Sequence, residues 1–286
     1  MIVVTEERPY ERILDEMRPL PGVLTEIIRV LSDERSSARD VEKAMSCDQA
    51  ITARILKIAN SAFYGHSGKV KKLSQAIALI GYNSSLHIAI GAGLKDSLTS
   101  PLDARNPFSV NYWIHSLVTA VFSRSLGRQF GSELCDDMFL AGMMHDIGWG
   151  VLVKMQLDNP SIGSPENASG TIVDREQALY GTDHQILSAQ LLTGWGFPST
   201  VIALVRQHHT PEHSTCDLEK ETRLLQLADH LAVENEFGHE GDGELEPLPE
   251  STRDSYVPDQ EAADRILASL AEEFELVSDL IEAFTR

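Results

Sequence analysis

The stretch Met143-Met144-His145-Asp146-Ile147-Gly148 lies near the middle of the 286-residue chain and sets an imidazole beside a carboxylate in apolar sequence. Helical spacing around it predicts a helix over about 136–152. Neighbouring side chains on a helix point about 100° apart, so both reach one ion only if the ion lies beside the helix edge or end. Gly142 and Gly148 reduce the bulk there, and Gly148 is suited to end a regular turn.

Five further imidazoles and carboxylates complete a candidate metal set in the second half of the chain. They are His115, His184, His208, His209 and Asp229. Imidazole with carboxylate is a ligand set for Fe, Mn or Zn, and the lack of sulfur disfavours soft metals. The spacings hold no compact metal motif, so these groups must converge by tertiary packing. If they converge, one or two ions are possible, and a metal pair can clamp a phosphate.

A simpler interpretation treats the histidines as ordinary structural or surface residues. The chain contains ten of them, and some will fall in apolar helices by chance. Five are assigned to this class, namely His66, His87, His213, His230 and His239.

The composition limits the classes of partner. The formal charge is −19, from 43 acidic and 24 basic residues. A duplex phosphate backbone repels such a chain, because nonspecific affinity for nucleic acid comes from Lys and Arg on phosphates. We therefore expect no nucleic-acid partner and favour a protein partner, including a basic one.

The sequence contains no signal for a membrane or for a disulfide framework. No apolar run approaches the roughly 20 residues that cross a bilayer, and the first eight residues lack the basic-then-apolar order of a signal peptide. A cytoplasmic protein without membrane contact is expected. Cys47, Cys135 and Cys216 are odd in number and widely separated, so neither disulfides nor a thiolate zinc site is predicted.

Helical spacing dominates the chain and predicts an all-α fold with two lobes. Residues 1–100 are expected to form an N-terminal lobe of short helices, with helices at about 22–32, 37–45, 48–60, 74–80 and 83–90. A turn-rich segment at 99–107 marks the predicted boundary. Residues 101–286 are expected to form a second helical lobe, with helices at about 110–126, 136–152, 174–180, 185–194, 198–209 and 218–234. An acidic loop at about 235–258 and one C-terminal helix complete the prediction.

Six sequence words together resemble the HDOD family, the HD-related output domains of bacterial signalling proteins. The words are Leu20-Pro21 with Leu24, Ala44-Met45-Ser46-Cys47-Asp48-Gln49-Ala50-Ile51, Ile58-Ala59-Asn60-Ser61-Ala62-Phe63-Tyr64-Gly65, Gln75-Ala76-Ile77-Ala78-Leu79-Ile80-Gly81, and Trp195-Gly196-Phe197-Pro198 followed by His208-His209-Thr210-Pro211. The resemblance runs from about residue 18 to residue 235. One departure is Gln49, where proline is usual.

The resemblance implies a two-lobed helical fold whose second lobe is related to the HD and HD-GYP metal-dependent phosphohydrolases. The metal positions of the HD superfamily correspond here to His115, His145, Asp146 and Asp229. Further ligands of the HD-GYP cyclic-dinucleotide phosphodiesterases correspond to His184, His208 and His209. All seven residue types are present in order.

Two departures from the hydrolase pattern argue against turnover. Trp149 stands where a lysine is expected, and 210–213 replaces the Gly-Tyr-Pro word. Losing the charge that stabilises a transition state costs on the order of a hundredfold in rate. No catalytic residue is therefore assigned.

Three functional hypotheses remain open at this point. The preferred one is a signalling output or adaptor module, without turnover or catalytically degenerate, that binds a signalling protein or a nucleotide regulator. The alternative is a metal-dependent phosphohydrolase or phosphodiesterase acting on a cyclic dinucleotide or nucleotide. The third treats the histidines as stabilising hydrogen-bond partners only.

Overall fold

The computed structural model describes residues 9–33, 35–61, 64, 69–99, 108–162, 170–215, 217–238 and 246–285. Within these ranges the regular secondary structure is helical, and no strand is present. This confirms the predicted all-α class. The predicted boundary segment falls mostly on 100–107, outside the described residues.

Six helices make up the first part of the chain. They are α1 (Pro9–Met17), α2 (Gly22–Ser32), α3 (Ala38–Met45), α4 (Gln49–Ala59), α5 (Leu73–Ile80) and α6 (Tyr82–Leu98). The predicted helices at 22–32, 37–45 and 48–60 are confirmed. Their N-termini follow local rules, since the Asp48 carboxylate accepts hydrogen bonds from the Ala50 and Ile51 amides.

Three starts in this part differ from the prediction. The helix α1 was not predicted, α5 begins after Lys72 rather than at a Ser74 cap, and α6 begins at Tyr82 rather than at Asn83 or Ser84. The chain turns at Gly81, whose φ of 96° is a conformation that favours glycine. The tight turn lets one helix follow the next almost without a linker.

Asn60 explains one of the sequence words of the first part. Its side-chain amide donates to the Leu56 and Val70 carbonyls, and its side-chain oxygen accepts from the Val70 amide. Asn60 therefore closes the end of α4 and ties it to the backbone of Val70. Ala62, Phe63 and Gly65 of the same word lie outside the described residues.

The second part of the chain is built around one long buried helix, α7 (Val110–Gln129). The helices that follow are α8 (Cys135–Met144), α9 (Trp149–Asp158), α10 (Ile172–Tyr180), α11 (His184–Trp195), α12 (Ser199–Arg206), α13 (Glu219–Glu234), α14 (Glu250–Tyr256), α15 (Gln260–Ala271) and α16 (Phe274–Thr285). Helices α8, α13, α15 and α16 pack against α7. Because neighbours surround α7, most of its residues are buried, including polar ones such as Ser116 and Thr119.

The predicted helix over 136–152 is wrong as a single element. The helix α8 ends at Met144, residues 145–148 form a turn, and α9 begins at Trp149. The physical reason is close packing. The turn lies against α11, whose backbone leaves no room for a side chain at Gly148. The His-Asp pair consequently lies at the end of a helix, as its chemistry requires.

Two predictions for the C-terminal region are also corrected. The apolar repeat after Pro258 forms two helices, α15 and α16, and Phe274 at the start of the second is 40% exposed. The acidic segment at about 235–258 contains α14, which begins after Pro249 and buries Thr252 completely. Residues 239–245 of that segment lie outside the described residues.

The C-terminal helix connects the two parts of the chain. It packs against α4 of the first part and α7 of the second, and the buried apolar residues of both parts form one continuous cluster. In the described part of the chain no single helix is long and apolar enough to cross a membrane; a sharply bent pair, α5 with α6, passes that test only when the two are taken together.

Candidate metal centre

Five segments bring the seven predicted ligands into one place. The helix α7 carries His115, the turn after α8 carries His145 and Asp146, and α11 begins at His184. The turn after α12 carries His208 and His209, and α13 carries Asp229. The side-chain donor atoms fall into two groups, and within each group they lie within 4.8 Å of one another.

The first group consists of His115, His145 and Asp229. The two Nε2 atoms of the histidines are 3.2 Å apart. The Asp229 Oδ1 atom lies 3.2 Å from His115 Nε2 and 3.5 Å from His145 Nε2. This oxygen is buried and makes no well-formed hydrogen bond within the described part of the chain.

The second group consists of His184, His208, His209 and Asp146. The Nε2 atoms of His184 and His208 are 3.3 Å apart, and the Asp146 Oδ1 atom lies 3.4 Å and 3.5 Å from them. The rings of His208 and His209 lie 4.3 Å apart between centroids. Three imidazoles and a carboxylate oxygen therefore face a common point.

Asp146 joins the two groups. Its Oδ2 atom lies 3.2 Å from His145 Nε2 and 3.8 Å from His115 Nε2, whereas Oδ1 faces His184 and His208. One carboxylate thus presents an oxygen to each group. Carboxylate and imidazole donors in two adjoining sets have the chemistry of a site for two divalent ions.

Backbone carbonyls determine which ring nitrogen carries hydrogen in three of the histidines. The Nδ1 atoms of His115, His145 and His208 lie 3.0, 2.8 and 2.8 Å from carbonyl oxygens. A carbonyl only accepts, so each Nδ1 carries the hydrogen, and in the neutral ring the lone pair is on Nε2. The lone pairs of His115 and His145 then point at each other, an arrangement that a cation between them stabilises. The residues therefore fit a bound metal.

Glu176 is the residue of the site that sequence reasoning missed. It is buried on α10 and accepts hydrogen bonds from His184 Nδ1 at 2.6 Å and from the His184 backbone amide at 2.9 Å. A carboxylate on the far nitrogen of a metal-bound histidine orients the ring and raises its basicity. No periodicity or motif marks Glu176, since the contact joins separate helices.

The pKa values of the imidazoles split according to their carboxylate neighbours. Burial opposes the charged form of His145, but Asp146 and Asp229 together hold its pKa well above the usual value. Burial also opposes the charge on His184, whose pKa is nevertheless raised to about 9 by Glu176 and Asp146. In the metal-free protein both rings therefore favour the protonated form, and binding of a metal would displace a proton from them.

The other two histidines of the second group are held neutral. Burial lowers the pKa of His208, and the neighbouring His145 and His184 lower it further against the hydrogen bond to Asp146. Burial and the adjacent His208 and His184 hold the pKa of His209 well below its usual value. Neutral imidazoles are the form that binds metal, so these two rings are ready as ligands.

Close backbone packing positions the His-Asp turn. The Ser188 hydroxyl on α11 donates to the His145 carbonyl at 2.7 Å and accepts from the Gly148 amide at 2.8 Å. At Gly142, a Cβ atom would lie 2.8 Å from Ala120 Cα on α7. The predicted importance of low bulk at both glycines is confirmed, because α7, α8 and α11 approach one another here.

The backbone of His209 is held by two glutamines. Its amide donates to Gln185 Oε1 at 2.8 Å, and its carbonyl accepts from Gln226 Nε2 at 3.2 Å. The Gln226 oxygen in turn accepts from the buried Thr252 hydroxyl of α14 at 2.7 Å. The metal centre is therefore connected through side chains to the C-terminal region.

A cavity of about 1090 Å³ opens onto the centre. Its walls include four of the ligands, Asp146, His184, His209 and Asp229, and the segment 246–249 with Ser251. Trp149 lines it where a lysine was expected, and its ring lies parallel to that of Tyr112 at 6.4 Å. The cavity is large enough for a ligand the size of a nucleotide.

The remaining histidines have different locations. His213 and His230 were assigned to structural or surface roles, yet both line the cavity. His87 is buried on α6, which carries none of the seven ligands, and its ring stacks on Phe139. His66 and His239 lie outside the described residues.

The sequence matches the model of one known protein family. The family model described as HDOD domain matches residues 17–211. The chain belongs to the HDOD domain family. The predicted resemblance is thereby confirmed, and the matched HDOD region contains six of the seven candidate ligands, with Asp229 beyond its end.

One curated relative of this HDOD domain is an uncharacterized protein of Treponema pallidum (strain Nichols). It is 25% identical over 206 residues, which are 70% of this chain and 39% of the relative. The chain thus spans less than half the length of that relative.

Three solved structures share the fold. An HDOD domain protein with unknown function from Geobacter sulfurreducens has a TM-score of 0.64 at 19% identity, covering 97% of this chain and 95% of the other. A protein of Shewanella amazonensis SB2B, provisionally described as a phosphohydrolase, has a TM-score of 0.72 at 19% identity, covering 96% and 98%. A provisionally described signal transduction protein from Marinobacter aquaeolei VT8 has a TM-score of 0.73 at 22% identity, covering 96% of this chain and 61% of the other. These likenesses concern the fold.

Proposed function

We propose that this HDOD domain is a signalling output module that binds divalent metal and a small phosphate-bearing ligand and passes the bound state on to a protein partner. The observation that carries the proposal is the seven-residue donor cluster, four members of which line a cavity of about 1090 Å³. One of the proteins sharing the fold is described as a signal transduction protein, which agrees with a signalling role.

The ligand class follows from the metal chemistry. Two adjoining divalent ions, when bound, act as Lewis acids that clamp a phosphate group. The side chains of this chain would hold the ions, orient the imidazoles through their Nδ1 partners, and bury the centre from bulk water. A nucleotide-sized ligand suits the cavity volume.

A non-hydrolytic role is favoured by the cavity wall. Trp149 lines the cavity at the position of the expected lysine, so the cation that would stabilise transition-state charge is missing there. The net charge of −19 also favours a partner with a basic surface over a polyanionic one.

Elemental analysis of protein purified without chelators or a histidine tag tests the proposal. We expect Fe, Mn or Zn to copurify with the wild type and to be lost from Asp146→Asn, because Asp146 faces both groups. A wild-type protein free of transition metal, and unable to take up Mn²⁺ on dialysis, would refute metal binding.

Metal-dependent hydrolysis is the second candidate, favoured by the completeness of the ligand set. One protein of the same fold is provisionally described as a phosphohydrolase. The Mn²⁺-loaded protein is incubated with a cyclic dinucleotide, and linear product is measured. Turnover that disappears in Asp146→Asn would establish hydrolysis and replace the non-catalytic role.

A further inference from the structure

The cavity contains a single strongly basic side chain. Among the described residues of its wall, Arg175 is the only Lys or Arg. The carboxylates of the wall are Asp146, Asp174, Glu176, Glu212, Asp229 and Glu246. An anionic ligand that approaches the metal centre therefore meets one guanidinium in the described part of the wall, in addition to the imidazoles of the centre.

The guanidinium of Arg175 has a donor without a hydrogen-bond partner among the described residues. Its Nη2 atom donates to Glu246 Oε1 at 2.7 Å, whereas its Nε atom is buried and has no hydrogen-bond partner in the described part of the chain. The Nε–H and Nη2–H bonds point the same way and form a fork that matches two oxygens of a carboxylate or phosphate. Glu246 engages Nη2 and leaves Nε without a hydrogen-bond partner in the residues that the structure describes.

The two members of this pair come from different elements. Arg175 lies on α10 beside Glu176, which holds His184 of the metal centre. Glu246 lies in the segment that leads into α14, and this segment forms part of the cavity wall. The pair is partly shielded, with side-chain exposures of 15% and 35%. An ion pair in such a site is stronger than one at an open surface.

We propose that Arg175 binds a phosphate group of the ligand beside the metal centre, in competition with Glu246 of the same chain. This inference rests on the function proposed above and names the residue that recognises the ligand. A phosphate supplies oxygens to both Nε and Nη2, so it completes the fork that Glu246 leaves incomplete. Glu246 is then released from Arg175.

Release of Glu246 offers a route from the ligand to the C-terminal region. The segment 246–249 is followed directly by α14, where Thr252 is bonded to Gln226, and Gln226 holds the backbone of His209. Exchange of Glu246 for phosphate therefore acts on a segment that is already joined to the metal centre. A protein partner that contacts this region would sense the exchange.

A double-mutant cycle tests the competition. Binding of inorganic phosphate is measured by titration calorimetry on the Mn²⁺-loaded and metal-free full chain, for wild type, Glu246→Gln, Arg175→Met and the double variant. We expect about tenfold tighter binding for Glu246→Gln and about tenfold weaker binding for Arg175→Met, the size of one charge-assisted hydrogen bond. In the Arg175→Met background, Glu246→Gln should give no more than the small gain expected from removing one negative charge from the wall.

Glu212→Gln is the matched control, because it removes another negative charge from the same wall. Its effect should be small and equal with or without Arg175. The competition is refuted by any of three results. These are that Glu246→Gln tightens binding in the Arg175→Met background by more than Glu212→Gln does, that Glu212→Gln gives the same gain as Glu246→Gln in the wild-type background, or that Arg175→Met binds phosphate like the wild type. Circular dichroism of each variant confirms that the helical fold is retained.

The cycle also separates this inference from the proposed function. Bound Mn²⁺ with no phosphate binding in any variant would refute the role of Arg175 and leave metal binding intact. Absence of metal with an Arg175-dependent gain in the metal-free protein would refute the metal-dependent function and leave the competition between Glu246 and phosphate standing.

Discussion

Four imidazoles of the centre make a hydrogen bond through Nδ1, on the side of the ring that faces away from the centre. This bond orients each ring. For three rings the partner is a carbonyl, and for His184 it is the buried carboxylate of Glu176. A carboxylate makes its histidine a stronger electron donor than a carbonyl does. Glu176 is therefore the most informative single residue to alter without removing a ligand.

Glu176→Gln should weaken metal binding by about 10- to 100-fold while leaving all seven ligands in place. Loss of the negative charge lowers the basicity of His184, and the amide satisfies the two donors less well. Competition with a chromophoric chelator measures the affinity. Glu212→Gln, a neutralised carboxylate in the same cavity wall, should bind metal like the wild type; equal loss in both variants would contradict a specific role for Glu176.

The buried side chain of His87 should make the free energy of unfolding depend on pH, independently of the metal centre. Burial lowers its pKa to about 4, with Asp136 acting against the shift and Arg124 adding to it. The unfolded state binds a proton on His87 more tightly than the folded state does. The free energy of unfolding is therefore undiminished by His87 above about pH 6.5 and falls as the pH decreases towards 4. Between pH 7 and pH 5 the loss is about 2 kcal/mol of the free energy of unfolding.

Urea unfolding of the wild type and His87→Leu at pH 7 and pH 5 measures this term. The variant should lose about 2 kcal/mol less than the wild type over this interval. Other titrating groups are common to both proteins and cancel in the comparison. An identical loss in both proteins would show that His87 is not held neutral in the folded state.

At the scale of elements, the centre depends on a turn where a continuous helix was predicted. The turn at 145–148 ends α8, and Ser188 of α11 satisfies its backbone groups. A Cβ atom at Gly148 would overlap the backbone of His184 and Ser188. Backbone on both sides cannot yield without moving α11, which carries His184.

Gly148→Ala should therefore lower the free energy of unfolding by about 1–3 kcal/mol and weaken metal binding. Gly194→Ala on α11 is the control, because its Cβ atom would meet only the flexible side chain of Arg18, at 3.3 Å. Alanine in a helix should make that variant equal in stability to the wild type, or more stable by up to about 1 kcal/mol. Chemical denaturation with metal titration distinguishes them, and a Gly148→Ala protein as stable as Gly194→Ala would contradict the packing argument.

At the scale of the whole molecule, the two ligand groups tie together five segments of the second part of the chain. Only the folded chain assembles them, since His115 and Asp229 belong to helices far apart in sequence. A metal that binds the folded state and not the unfolded one stabilises the fold by mass action. Metal content and thermal stability are thus linked.

Saturating Mn²⁺ or Zn²⁺ should raise the melting temperature, with a stabilisation of about 4 kcal/mol at a thousandfold excess over the dissociation constant. Asp146→Asn should abolish the shift, and Asp229→Asn should lose only the ion of the first group. Calorimetry with metal analysis measures both quantities. Asp264→Asn on α15 is the control and should respond like the wild type; a shift retained in Asp146→Asn would contradict the shared carboxylate.

Local rules account for the parts of the fold that were predicted correctly. The starts of α3 and α4 follow from Ser37 and Asp48, whose cap interactions lie within three residues of the helix start. Two of the failures in the second part, at 145–148 and at the join of α15 and α16, interrupt an apolar pattern that continues through them. Packing against neighbouring helices decided those breaks, and the spacing of apolar residues in the sequence does not show where they fall.

By itself the sequence determined the all-α class, most of the helices and the inventory of seven donor side chains, because caps, periodicity and residue types act over a few neighbouring residues. Tertiary structure alone decided that the donors meet, which ring nitrogen faces the centre, and that Glu176 and the Arg175–Glu246 pair stand beside it. Most of the contacts responsible join residues 30, 71 and 122 positions apart, and the contact of Glu176 with His184, 8 positions apart, joins two separate helices. Such distances are set by how whole helices pack, a property that no short stretch of sequence contains.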